Sequence, residues 1–185
     1  LEKLLVKGEK IVIGKRNEGL NHLVLELTYL NPADLLFDID IFVFMVEENH
    51  GVNKKNIIFY NQPRSICKSI VYREDDHGDE NKKSVEVNLN QIPQPIKKIV
   101  FGCSIYKDAN VTEAKNIELS FQGIDKMTNM RMFTIHDKIN IDQDETVILG
   151  DIYQYKDLWK FNTLKYQHEE NILRGIKKLY PIKIY

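Results

Sequence analysis

An all-β chain, folded as an antiparallel β-sandwich with a short C-terminal helix, is predicted by three observations. Apolar residues recur with period two along most of the sequence, turn residues separate the runs at short intervals, and a helical stripe occurs only near the end. The first run covers residues 4–13. In the second, Leu23, Leu25, Leu27 and Tyr29 alternate with His22, Val24, Glu26 and Thr28. The third, residues 37–46, opens with Asp38 and Asp40 and continues as an unbroken apolar stretch from Ile41 to Val46, the pattern of a strand buried on both faces. Residues 56–60 and 65–72 follow, then Val85, Val87 and Leu89 alternating with Glu86 and Asn88. Pro93 and Pro95 mark the connection to the run at 98–105, because proline cannot donate to a ladder. Further runs at 116–124, 131–135, 146–155 and 159–166 bring the total to about ten or eleven strands, a number and spacing that suit a sandwich.

The helix is predicted from Ile172, Ile176, Leu179 and Tyr180, which form one apolar stripe. Glu169 and Glu170 are expected in its first turn and Lys177 and Lys178 in its last, complementing the helix dipole, with Pro181 as the stop. A length of 185 residues suits a single domain, residues 1–185. Hydrophobic residues at 43 % and charged residues at 29 % are the balance of a soluble globular protein. The net charge of -1 argues against a generally basic nucleic-acid binder. No apolar run approaches the ~20 residues of a membrane helix, so direct insertion is not expected. Cys67 and Cys103 show neither CxxC spacing nor paired histidines and read as buried or half-buried thiols, which points to a cytoplasmic address. The chain begins with Leu1, so the natural N-terminus is expected to extend further.

The chemistry concentrates in carboxylates. Asp38 and Asp40, two residues apart in a strand, point to the same face about 7 Å apart and require positive charge between them. A lysine would serve. A second acidic stretch, Glu74, Asp75, Asp76, Asp79 and Glu80 around His77 and Gly78, favours calcium, which takes 6–8 oxygen ligands. The spacing is not that of an EF-hand, and a solvated hairpin loop is the plainer reading of the same acids. The histidines His22, His50, His77, His136 and His168 show no ligand spacing. No nucleophile elbow, P-loop or dinucleotide fingerprint occurs, and Ser65 beside Cys67 has no evident base, so no enzymatic activity is expected. Tyr153, Tyr155, Trp159 and Phe161 flank a Lys156-Asp157 turn at strand spacing and read as packing residues.

Several short motifs, in order, resemble one family. Leu5-Val6-Lys7-Gly8-Glu9-Lys10 is similar to an opening LxKGxK segment, and Phe37-Asp38-Ile39-Asp40 resembles the FDLD signature of TerD-domain proteins of tellurium resistance and stress response. Ile58-Phe59-Tyr60-Asn61 resembles that family's FxFYN strand, and Glu86-Val87-Asn88-Leu89 with Ile92-Pro93 its VDL…VP passage. Ile99-Val100-Phe101 matches the next strand, and Gly150-Asp151-Ile152-Tyr153 with Trp159-Lys160-Phe161 resembles the GELYR…WKF close. The resemblance implies a calcium-binding β-sandwich without established enzymatic activity, a binding or scaffold module of the bacterial stress response. It also implies other Ter-type proteins and a TerC-like membrane protein as partners, hence a peripheral location at the inner membrane. Carried over by position, the metal ligands would be Asp38, Asp40, Asp75, Asp76, Asp79 and Asn81.

The acidic loop departs from the family pattern, being shorter, lacking a TGxG turn, and placing Lys82 and Lys83 where acids are usual. Fewer carboxylates mean weaker calcium binding, with one site reduced or absent. Two readings therefore stand: a calcium-dependent stress-response module, or a relative that has lost the metal and acts as a metal-independent protein-interaction module, with Lys82 or Lys83 supplying the positive charge.

Overall fold

The computed structural model describes residues 2–16, 18–19, 22–30, 37–74, 81–107, 116–141 and 144–185. Its strands are β1 (Lys3–Leu4), β2 (Lys10–Lys15), β3 (His22–Tyr29), β4 (Phe37–Glu47), β5 (Gly51–Val52), β6 (Ile57–Ile58) and β7 (Ile70–Glu74). They continue as β8 (Lys82–Asn88), β9 (Ile96–Lys107), β10 (Asn116–Asp125), β11 (Met130–Asn140), β12 (Thr146–Tyr155), β13 (Leu158–His168) and β14 (Lys183–Ile184), with one helix, α1 (Ile172–Leu179), before β14. One six-stranded sheet has the order β1-β11-β10-β3-β8-β7 and the other β2-β13-β12-β9-β4-β6. All pairings within them are antiparallel except β1 with β11.

The two sheets face each other across a shared core, because alternate residues of each strand are apolar. Leu23, Leu25 and Leu27 of β3 meet Ile39, Ile41 and Val43 of β4 in one buried cluster. The other face of β4 is also apolar. Phe42, Phe44 and Val46 join Val100 and Ile148 in a second cluster beneath Ile176 of α1 and Ile182. The two-sided burial predicted from the unbroken run of β4 is thus present. Gly102, opposite Phe42 in the β4–β9 register, leaves room for that ring, since a Cβ there would lie 2.3 Å from Phe42 Cζ.

Helix α1 begins later than its acids suggest. Asn171 is the cap, its side chain accepting from the Arg174 amide, so Glu169 and Glu170 precede the helix and its first turn holds no acid. Lys177 and Lys178 do occupy the last turn, and Tyr180 caps the C-terminus immediately before Pro181. The helix is anchored at its exit: the Tyr180 hydroxyl donates to Oδ2 of Asp151, a β12 residue only 1 % exposed. Lys98 Nζ lies 3.7 Å from the same oxygen and 4.8 Å over the Tyr180 ring. Beyond it β14 pairs with β5 in parallel.

Three strand expectations are corrected. The run at 4–13 is divided between β1 and β2 by a turn in which Gly8 has φ 88°, a conformation glycine adopts without strain. The strand expected at 65–72 begins only at Ile70, because Ser65 Oγ accepts the Ile70 amide and Lys68 adopts φ 59°, holding 65–69 in a turn. The run at 56–60 contributes only Ile57 and Ile58 as strand. Elsewhere the expected strands are present, and β11 extends five residues past Ile135. Trp159 and Phe161 are buried in the core, as packing residues should be, while Tyr155 is exposed at the edge of the β12–β13 hairpin.

Candidate functional site

Asp38 and Asp40 stand at the entrance of β4, where the sheets approach at one edge of the sandwich. Their opposite numbers on β9 are Tyr106 and Ser104. From the other sheet come three polar tips. The Tyr29 hydroxyl at the end of β3 donates to Asp38 Oδ1 at 2.8 Å, and the Tyr72 hydroxyl of β7 donates to Asp40 Oδ1 at 3.0 Å. Lys83 of β8 places its ammonium 3.4 Å from Asp38 Oδ1 and 3.5 Å from Asp40 Oδ1. The pair is thus bridged across the sandwich by one lysine, which offsets one of its two charges, and each carboxylate also receives a phenol.

The local sequence explains why these tips arrive there. Tyr29 and Tyr72 are inward-facing members of their strands, so their rings belong to the core while their hydroxyls reach its rim. Lys83 precedes Val85 by two residues and shares its face of β8, and Val85 is core. Its side chain is 17 % exposed, that of Asp40 12 % and that of Asp38 48 %. Burial, and after it the Asp38 charge, hold the Asp40 carboxyl above the ordinary carboxylate range against the opposing pull of Lys83 and Tyr72. Burial and the hydrogen bond to Asp38 raise the Tyr29 phenol, so it remains a proton donor. A cavity of about 300 Å³ opens over the carboxylates, lined by Asp38, Asp40, Lys83 and the exposed rings of Tyr60 and Tyr106.

Of the six residues expected to hold a metal, the structure brings Asp38 and Asp40 together. Asn81 lies at the entrance to β8, its carbonyl accepting the Tyr29 amide at 3.2 Å. Asp75, Asp76 and Asp79 lie outside the described residues, as does His77. Calcium takes 6–8 oxygens at 2.3–2.6 Å; among the described residues Asp38 and Asp40 are joined by the Lys83 ammonium and by no third acid, histidine or cysteine. Lys82, the other lysine considered for this role, is turned to Glu26 at 2.9 Å.

The sequence reading did not assign Tyr29, Tyr72, Tyr60 or Tyr106 to the site. For Tyr29 and Tyr72 a signal existed: each is a polar-tipped residue closing an apolar alternation. Tyr60 and Tyr106 carry none, since their approach depends on how β6 and β9 align beside β4 within one sheet. Ser65 and Cys67, weighed as a nucleophile arrangement, lie in the turn before β7, where Cys67 Sγ is 2.9 Å from Ser69 Oγ.

The family model for the TerD domain matches residues 2–180. General stress protein 16U of Bacillus subtilis is 26 % identical over 181 residues, spanning 92 % of this chain and 93 % of that protein. Tellurium resistance protein TerD of an Alcaligenes species is 24 % identical over 171 residues, spanning 86 % and 88 % respectively. Among solved structures, a homologue of telluride resistance protein from Streptomyces coelicolor superposes with a TM-score of 0.60 at 11 % identity, covering 84 % of this chain and 95 % of that one, a likeness of fold.

Proposed function

This chain belongs to the TerD domain family, and from that premise we propose that it is a non-enzymatic binding module of the stress response whose carboxylate pair is bridged by its own lysine rather than by calcium. The observation that carries this reading is the position of Lys83, within 3.5 Å of both Asp38 and Asp40. An ammonium there supplies the positive charge that joins the two sheets at this edge. Relatives named for general stress and for tellurium resistance support the cellular role.

The candidate chemical groups support a binding role over a catalytic one. Each carboxylate is engaged by a phenol and an ammonium from the opposite sheet, an arrangement that closes the sandwich. The proposed partners are other Ter-type proteins and a TerC-like membrane protein, which would bring a cytoplasmic chain to the inner membrane surface. No helix among the described residues is long and apolar enough to cross a membrane itself.

Calcium titration of chelator-stripped protein, by calorimetry with the thermal midpoint followed in parallel, tests the reading. A ligand that binds only the folded state must raise stability. The expected result is no saturable heat and no change of midpoint. Saturable binding that disappears in Asp38→Asn with Asp40→Asn would instead establish the calcium module, with Asp75, Asp76, Asp79 and Asn81 as the remaining ligands.

A further inference from the structure

The two large sheets end in β1, β7, β2 and β6, and these edges are not equally closed. The edge at β7 is covered by the segment before it, because the Ser65 amide donates to the Ile70 carbonyl and the Tyr72 amide to that of Pro63. β1 and β6 are two residues long each. β2 is six residues long, and among the described residues no strand lies on its side away from β13, apart from a bridge between its last residue and Glu18. The Thr163 amide of β13 donates to the Glu9 carbonyl, and Phe161, two residues earlier on the same strand, pairs with Ile11. Backbone groups alternate sides along an antiparallel strand, so those of Lys10 and Val12 point outward. Free N–H and C=O groups on such an edge are a template for another chain.

Charge along this edge selects the partner. Ile11 and Ile13 turn to the core, which sends Lys10 and Val12 to the outer face, where Val12 is 55 % exposed. Residues 7–16 carry Lys7, Lys10, Lys15 and Arg16 against the single acid Glu9. That acid is engaged by Lys3 at 3.6 Å and by the Val6 amide at 2.8 Å, and Lys15 is engaged by Glu18 at 3.0 Å. Among the described residues no carboxylate pairs with Lys7, Lys10 or Arg16, nor with Lys160, which stands opposite Val12 and 4.2 Å over the Tyr155 ring. A second copy of β2, laid antiparallel about the middle of the strand, would set Lys10 against Lys15, and like charges directly opposite destabilise a pair. The edge is thus closed to its own copy and complementary to an anionic strand.

We propose that β2 takes up an extended acidic peptide of a partner protein as an added edge strand. Main-chain bonds to Lys10 and Val12 supply the pairing, and acidic side chains on the outer face meet Lys10 and Lys160. This surface lies apart from the Asp38 and Asp40 pair and is independent of how that pair is neutralised.

The test is fluorescence-anisotropy titration of the intact chain, in chelator, with a labelled peptide of about six residues in which glutamate alternates with valine. Saturable binding is expected, weakened about tenfold when Lys10→Glu and Lys160→Glu are combined. Neither lysine is buried, so this variant should keep its thermal midpoint, and Lys10→Gln with Lys160→Gln, which removes the charges without reversing them, should bind with intermediate affinity. Hydrogen exchange of the Lys10 and Val12 amides should slow in the complex. The same peptide built with D-valine keeps its charge but cannot hold a continuous strand, and should not bind. Absence of binding up to about 1 mM, equal binding of the D-valine peptide, or unchanged exchange at those two amides overturns the inference. Binding of phosphatidylglycerol vesicles in place of the peptide, lost in the Lys10→Glu/Lys160→Glu variant, would assign the cations to a membrane surface and overturn it as well.

Discussion

Replacing Lys83 by Met removes the ammonium and keeps most of its apolar stem, so it isolates the charge. Breaking a buried pair by deleting one partner costs about 3–5 kcal/mol, and an exposed pair contributes about 0.2–1 kcal/mol. The contact to Asp40, with both side chains less than one-fifth exposed, lies toward the first case, and the contact to half-exposed Asp38 lies in the second. Since neither is fully dry, the loss should be about 2–3 kcal/mol, intermediate between these limits. For a chain of this size that lowers the thermal midpoint by about 5–10 °C. The deficit should shrink in high salt, because screening relieves the repulsion between the two remaining carboxylates. Urea unfolding of the wild type, Lys83→Met, the Asp38→Asn/Asp40→Asn pair and the triple variant closes a cycle in which the triple variant recovers most of the loss. A loss below about 0.5 kcal/mol, the scale of a surface pair, would show that Lys83 is not the counter-ion.

Three further outcomes follow from the same structure. Because the Asp40 carboxyl is held above its unfolded value, by burial first and then by Asp38, the folded state binds its proton more tightly. Asp40 therefore favours folding most at acid pH and progressively less as pH rises through its raised value, so wild-type stability relative to Asp40→Asn should fall from about pH 4 to neutrality; a flat or rising difference would contradict this. Tyr180→Phe removes the donor to Asp151 and should cost about 1.5–3 kcal/mol, with amide exchange accelerated first in α1; unchanged exchange there would show that the contact does not anchor the helix. Gly102→Ala would set a Cβ 2.5 Å from the Val147 carbonyl oxygen as well as against Phe42, and should destabilise by at least about 1–3 kcal/mol in a denaturant titration.

Strands whose burial follows a strict period were legible. The alternation from His22 to Tyr29 gave β3 with both its ends, and the unbroken apolar run of β4 foretold the two clusters on its faces. Local side-chain bonds defeated periodicity elsewhere: Ser65 and Lys68 hold a turn inside a strand-like run, and Asn171 sets the helix start after the acids. In the site, the repulsion of Asp38 and Asp40 required a cation, and lysine and calcium both satisfied that demand. The lysine reading depends on a contact across the sandwich between residues 45 positions apart, which no spacing rule encodes. Tyr29 and Tyr72 were visible as polar tips closing apolar alternations, but their partners were not, since Tyr72 reaches Asp40 from the facing sheet.

The strand order has a consequence for the chain as it leaves the ribosome. β2 has β13 as its sheet neighbour and β1 has β11, so the two N-terminal strands find their places only when the C-terminal part has been made. At about 5–20 residues per second, the delay between β2 and its neighbour is roughly ten seconds or more. During part of that interval β4, apolar on both faces, is without β9, which begins at Ile96. Premature termination before β13 would leave an open sheet with apolar edges, so the nascent chain should depend on chaperone protection far more than the finished protein does.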